Sequence, residues 1–511
     1  MTEPSGQRAV VAFLATAAFA GAAVERITTH ISELFLTGAR AYKLKRAVRF
    51  PYVDFTTVEQ RRAACLAEVE INRRTAPELY LGVAPIVRTA EGLTLGALDA
   101  APPDAVDWVV VMRRFDESQL FDRMAARGEL TAPLIDALTD RIATFHRAAA
   151  PRPGAGGARA LRALLDASLA ELGAVDAAVA APDRVATLAQ RARAALDGAA
   201  AVLDRRAAAG RVRHCHGDLH LSNICLIDGR PTLFDAIEFS DDIAVIDVLY
   251  DLAFLVMDLL HRRLPELANQ VVNRYLERLD EIDGLPAFGF LLALRAIVRA
   301  KIAATRAMET TGSARAEQCR EAGSLLTLAL DCLTPGTARL VALGGLSGTG
   351  KTSVARRLAP ALGGPFGAVI VRSDVVRKQL AGVAAEARLD EAAYAPARTA
   401  QVYDAMRHRA ALALGAGFSV VLDAVHARPE ERAAAAALAA RLGVAFRGVW
   451  LDADVDRLVA RVDARADDAS DATAAIVHRQ VGYATGTIEW ATVDASGTLD
   501  ETAARVRAAL G

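Results

Sequence analysis

Lysine is nearly missing from this chain. Of its 60 basic residues only five are lysines, Lys43, Lys45, Lys301, Lys351 and Lys378; the rest are arginines. Most of those arginines read as solvated helix faces, so the few compact ammonium groups mark places where a point charge matters. Three of the five fall inside the candidate phosphate sites described below. Cysteine is also scarce. Cys65, Cys215, Cys225, Cys319 and Cys332 are odd in number and show no C-x-x-C spacing. That excludes a disulfide scaffold or a zinc ribbon and implies reduced, mostly buried thiols in a cytoplasmic protein. Neither charge is in excess: 61 acidic residues leave a net charge of −1, so no global field favours nucleic acid or an anionic membrane. Long apolar runs are wanting too. Ala9 to Val24 has the small, apolar character of a signal-peptide core. Yet only Arg8 precedes it as a basic residue, Glu3 lies ahead of it, and it is shorter than the roughly 18 residues a spanning helix needs. We read it as the first helix of the first domain.

What is present is a globular composition, 53% hydrophobic and 24% charged, in a chain of 511 residues. That length is too great for one core and suits about two to four domains. Ile31 to Leu36 and Ala41 to Val48 read as a strand hairpin turning at Thr37-Gly38. Alternation puts Tyr42 and Leu44 on one face and Lys43 and Lys45 on the other. A helix is predicted from Thr57 to Thr75, a strand from Trp108 to Met112, and mostly helix from there to about residue 330. A strand-loop-strand insert at His214 to Phe239 interrupts it. Leu333-Thr334-Pro335-Gly336 breaks the last helix and places a domain boundary between residues 1–335 and 336–511. Beyond it, strands at Ala338–Leu343, Ala368–Val371, Ser419–Asp423 and Phe446–Leu451 alternate with helices. That is the order of a parallel α/β sheet with crossover helices.

The second half opens on Gly345-Leu346-Ser347-Gly348-Thr349-Gly350-Lys351-Thr352, a complete G-x-x-x-x-G-K-T between an apolar strand and a helix. Its glycines let backbone N–H groups curl around phosphate oxygens at a helix N-terminus. Lys351 would reach the β/γ-phosphates of ATP, and Thr352 would bind Mg2+. Asp374 and Arg377 follow the next strand as D-x-x-R, a base for an acceptor hydroxyl and an arginine for the substrate or the moving phosphoryl group. Asp423, at the end of an apolar strand, suits the metal. Arg461 and Arg465 share one helix face and suit a lid over phosphates or, equally, a solvated surface. Residues 340–511 resemble small P-loop kinases of the gluconate kinase and polynucleotide kinase type, on the D-x-x-R spacing above all. The resemblance implies phosphoryl transfer to a hydroxyl.

In the first half, His216-Gly217-Asp218-Leu219-His220-Leu221-Ser222-Asn223 parallels the catalytic loop of protein kinases, with Asp218 as base and Asn223 as metal ligand. Asp235 ends the next strand as the second metal ligand, with Glu238 as a rival. Asp247 and Asp251 read as caps or braces of the following helices, and His146 and His261 as satisfied helix residues. The stretch resembles the aminoglycoside phosphotransferase family, which implies a protein-kinase-like fold. On that resemblance Lys43 or Lys45, preferably Lys43, pairs the phosphates, Glu68 is its ion-pair partner, and Val109 to Arg113 forms the hinge strand facing adenine. No G-x-G-x-x-G precedes the lysine strand; Thr37-Gly38 alone marks the turn. The order of both parts is similar to a bacterial family of tandem phosphotransferase and ATP-binding proteins. The implied function is an ATP- and Mg2+-dependent kinase acting on a small-molecule hydroxyl. A nucleotide sensor is one alternative. An aminoglycoside-modifying enzyme is another, with Glu238, Asp241 and Asp242 as acids attracting the drug.

Overall fold

The computed structural model describes residues 5–16, 19, 21, 23–50, 53–334, 336–464 and 470–511. The chain divides into two compact units, residues 1–156 with 207–255, and residues 157–206 with 256–511. Compactness therefore groups the helices after residue 256 with the P-loop part, although the sequence breaks near 335.

The first unit is built on a six-stranded antiparallel sheet in the order β1-β2-β3-β8-β6-β7. Its strands are β1 (Glu25–Thr28), β2 (Ser32–Leu36), β3 (Arg40–Lys45), β6 (Tyr80–Thr89), β7 (Gly92–Leu95) and β8 (Ala105–Arg113). A small ladder of β4 (Arg49–Phe50) and β5 (Val53–Asp54) lies between β3 and the first long helix. The alternation of β3 sorts its residues onto two faces as the sequence reading expects. Tyr42 and Leu44 pack with Phe35, Val109 and Val111 against Val10, Val11 and Leu14 of the leading helix. That helix, Ser5–Leu14, ends well before Val24. On the opposite face Cys65 and Val69 of helix Val58–Asn72 meet Val110 and Trp108. Thr57 and Gln60 close this helix with a reciprocal capping box. Below the sheet, β9 (Val212–His214) pairs with β12 (Val245–Asp247), and β10 (Ile224–Ile227) forms a hairpin with β11 (Arg230–Leu233).

The second unit joins a set of helices to a five-stranded, wholly parallel sheet in the order β14-β15-β13-β16-β17. The strands are β13 (Arg339–Gly344), β14 (Val369–Arg372), β15 (Val420–Asp423), β16 (Ala445–Asp452) and β17 (Ala491–Asp494). Val341, Leu343, Val421, Val449 and Leu451 form the buried centre with Val354 and Leu358 of helix Lys351–Leu358. This is the α/β sheet expected from the sequence, with β17 added.

β14 is an edge strand, and helix Pro265–Arg278 closes it. Asn269 Nδ2 donates to the carbonyls of Phe366 (2.8 Å) and Ala368 (2.9 Å). Asn273 accepts from the Ile370 amide at 2.7 Å and donates to the Ala368 carbonyl at 3.1 Å. Two asparagines one helical turn apart thus take the place of a sixth strand.

Candidate active sites

In the first unit, the loop between β9 and β10 holds Asp218 and Asn223 together. Asn223 Nδ2 donates to Asp218 Oδ2 at 2.8 Å and to the Asp218 carbonyl at 2.9 Å. His220 Nε2 lies 3.3 Å from Asp218 Oδ2. The Asn223 carbonyl accepts from the Phe234 amide, so the hairpin brings Asp235 alongside. Asp235 has φ +61°, a left-handed conformation uncommon for a residue with a side chain and typical of functional loops. Its amide donates to the Tyr80 hydroxyl, which helps hold it there.

Lys43 and Lys45 converge on one carboxylate. Lys43 Nζ sits 2.8 Å from Glu68 and 2.6 Å from Asp235, and Lys45 Nζ 2.5 Å from Glu68 with Glu238 as its second partner. Burial would lower the Lys43 pKa, but Asp235 and Glu68 outweigh it and hold the ammonium well above the ordinary lysine value. Burial likewise acts to raise Glu68, yet the two lysines pull it down. The lysines differ in access. The Lys45 side chain is 1% exposed and Glu238 3%, whereas Asp235, bound to Lys43, is 44% exposed. Glu238 is therefore sealed against Lys45, which removes it as a rival metal ligand and as an acid offered to a drug.

Two further expectations change. Asp251 does not brace the helix that follows it. Its carboxylate turns back and accepts from the His216 and Gly217 amides at 3.0 and 2.9 Å, with His146 Nε2 at 3.1 Å. It fixes the start of the loop that carries Asp218 and Asn223. Asp247 does cap its helix, accepting from the Leu249 amide. The backbone of Val109 to Arg113 is taken up by β3 on one side and β6 on the other. The Arg113 and Arg114 amides donate to Leu79 and Ala39.

In the second unit the phosphate loop has the shape its glycines permit. Gly345 (φ +135°) and Gly348 (φ +88°) leave no room for a side chain: a Cβ would meet the Leu451 carbonyl at 2.4 Å and the Leu458 carbonyl at 2.5 Å. Thr349 is buried and donates to the Leu346 carbonyl. Lys351 Nζ donates to the carbonyls of Gly345 and Leu346 at 2.8 and 2.9 Å, spanning the loop that phosphates would enter. The Ser347 amide donates to Gln480 Oε1 at 2.7 Å. Gly350, also at positive φ, precedes helix Lys351–Leu358. Thr352 Oγ1 donates to Asp423 Oδ2 at 2.6 Å.

Asp374, Arg377, Lys351, Thr352 and Asp423 line one cavity of about 560 Å³, together with Tyr394, Arg428 and Arg479. Burial pushes the Asp374 carboxyl up, Asp423 adds to it, and Arg372 and Lys351 oppose it. Arg377 donates to the Ala393 carbonyl and lies over the Tyr394 ring at 4.6 Å. Arg461 stands elsewhere. It donates to the carbonyls of Ala495 and Gly497 at 2.9 and 3.0 Å and is absent from the cavity lining. Arg465 lies outside the described residues.

Both donor sets suit a hard cation. Asn223 with Asp235, and Thr352 with Asp423, offer oxygen ligands of the kind Mg2+ takes. The glycine cradle at Gly345 and Gly348 and the lysine across it fit a polyphosphate.

Residues 37–288 match the phosphotransferase enzyme family, and residues 340–486 match the AAA domain family. Uncharacterized protein Rv2004c of Mycobacterium tuberculosis H37Rv is 33% identical over 471 residues, 90% of either chain. Mb2027c of Mycobacterium bovis matches to the same extent. The chain belongs to the same family as these mycobacterial proteins, with a phosphotransferase-family part followed by an AAA-domain part. Among solved structures, it is similar to a choline/ethanolamine kinase family protein from Mesorhizobium loti (14% identity, 64% of this chain and 99% of that one, TM-score 0.38). It is also similar to a gluconokinase from Sinorhizobium meliloti (20%, 34% and 92%, TM-score 0.25). The chain has a kinase-like first part and a P-loop second part. No helix among the described residues is long and apolar enough to cross a membrane. None of the five cysteines forms a disulfide, and four of them are buried.

Sequence reasoning missed His220, the loop-bracing role of Asp251, and Arg372 beside the P-loop carboxylates. His220 carried a signal, since it falls within the loop motif itself. Arg372 carried none in so arginine-rich a chain.

Proposed function

We propose that the chain is an ATP-dependent kinase with two transfer sites, one in residues 1–335 and one in 336–511. Each moves the γ-phosphoryl group to a hydroxyl of a small molecule. One observation carries this reading: in each part a lysine, a pair of oxygen ligands and a candidate base share one locality.

In the first site Asp218 takes the proton of the acceptor hydroxyl as its oxygen attacks the γ-phosphorus and the bond to the β-phosphate oxygen breaks. Asn223 and His220 orient that carboxylate. Lys43, held by Glu68, faces the phosphates, and Asp251 fixes the loop. In the second site Lys351 turns from the loop carbonyls to the phosphates, Asp374 accepts the acceptor's proton and Arg377 steadies the substrate. Mg2+, held by Asn223 and Asp235 in one site and by Thr352 and Asp423 in the other, would draw charge from the phosphate oxygens. Burial suits Asp374 to its task, since a raised carboxyl is the better base. Reliance on ATP fits a cytoplasmic setting.

The test is ATP turnover and product mass across a panel of hydroxyl metabolites. Each of Asp218→Ala and Asp374→Ala is expected to remove one activity by about 10²–10⁴-fold. Unchanged turnover in both variants sinks the reading.

A further inference from the structure

Helices Val455–Asp463 and Ala474–Val481 pack on the phosphate loop. Leu458 and Val462 of the first and Val477 of the second form a buried cluster, and Leu346 of the loop packs against it. Thr473 starts the second helix, its hydroxyl accepting from the Ile476 amide. Gln480 stands three residues after Val477 and therefore on the same helix face. The residue after Leu346 is Ser347, and its amide donates to Gln480 Oε1. The apolar seat of Leu346 thus brings the loop backbone to the glutamine.

That hydrogen bond fixes which way the side-chain amide faces. A backbone N–H can only donate, so the atom it meets is the oxygen, and the Nε2 group is left over. Gln480 is 7% exposed, and its Nε2 donates to no protein group among the described residues. Buried polar groups nearly always have partners. Gln480 lines the same cavity as Ser347, Lys351, Asp374 and Arg377, so the partner it lacks is an acceptor that enters there. The outer phosphate of a nucleotide is that acceptor. Inner phosphates rest on amides at the start of a helix, here Lys351–Leu358. Lys351 Nζ reaches back to the Gly345 and Leu346 carbonyls, next to Ser347, and a lysine so placed meets the β/γ-phosphates.

We propose that Gln480 is a binding residue for the γ-phosphoryl group of ATP at the P-loop site: Ser347 holds its oxygen, and its Nε2 donates to a γ-oxygen. This rests on the reading of that site as a nucleotide site. A neutral amide suits the place, adding a donor without a further charge beside Lys351 and Arg377. Its bond to the loop orients it in advance, so little side-chain freedom is lost when the phosphate arrives. A nucleotide without a γ-phosphate leaves the Nε2 group unused, and the site thereby tells ATP from ADP.

Calorimetry tests this, with AMPPNP and with ADP, each in Mg2+, titrated into the full chain. The P-loop component is the part lost in Lys351→Ala. Gln480→Met keeps the length of the side chain and neither polar end. In that component it is expected to weaken AMPPNP about tenfold or more, the loss of one hydrogen bond to a charged group. ADP should stay within about twofold. A residue that merely propped the loop would weaken both nucleotides alike. Equal losses, or no loss of AMPPNP, in folded Gln480→Met therefore overturn the role of Gln480 alone. Should Gln480→Met fail to fold, Gln480→Glu still accepts from the Ser347 amide but turns an oxygen to the phosphate. It should weaken AMPPNP more than ADP, and equal losses or none overturn the proposal. No component lost in Lys351→Ala overturns the nucleotide site and this role with it.

Discussion

Lys43 and Lys45 stand two residues apart on one strand and share Glu68, yet their surroundings assign them different work. Lys45→Met strands Glu238 as a buried carboxylate without its cation, which costs about 3–5 kcal/mol of stability. Lys43→Met leaves Glu68 still paired with Lys45 and frees only the half-exposed Asp235, a loss of about 1 kcal/mol. Turnover at the first site should follow the opposite order, lost in Lys43→Met beyond what stability explains. Denaturant melts set beside kinetics read the difference. Asp374 invites a pH test. An acid whose folded pKa is raised favours the native state while protonated, and that contribution fades as pH climbs through the raised value. Transfer needs the carboxylate, so a pH–rate profile of the P-loop activity should fall on the acid side above about pH 4, the ordinary aspartate value. Asp374→Asn, neutral throughout, should abolish that activity and raise Tm at pH 7. At this scale the motif residues were legible because spacing alone brings Asp218 to Asn223. The contact of Ser347 with Gln480, 133 positions apart, was not, since no local pattern links them.

Elements were legible where one face is buried. The alternation of β3 sorts its side chains correctly, and the apolar runs of β13, β14 and β15 could only be interior strands. β17 escaped notice because Val493 is its only buried residue, too little for a pattern. The leading helix was read too long because small apolar residues continue past Leu14 with nothing in the sequence to mark its end. The role of helix Pro265–Arg278 was hidden for another reason: Asn269 and Asn273 look like ordinary helix residues until the strand they serve is in place. Asn269→Asp should test that service. A carboxylate cannot donate to the Phe366 and Ala368 carbonyls, so both lose a partner and face a negative charge. A cost of about 2–3 kcal/mol is expected, with faster amide exchange along β14.

For the molecule as a whole, the two matched families suggest a cut near residue 335, whereas packing joins the helices after 256 to the P-loop sheet. The two criteria give different fragments. Residues 336–511 alone lose the helix that closes β14 and should melt lower and self-associate through the bared edge. Residues 157–511 keep that helix and every segment of the second unit, and should not associate through this edge under the same conditions. Sedimentation and thermal melts of the two would show it. The closed edge also bears on descent. A strand that depends on another family's helix cannot be handed on by itself. Recombination that parted the two coding regions would leave the downstream product with an open sheet, so lineages carrying this pair should retain it as a single inherited block.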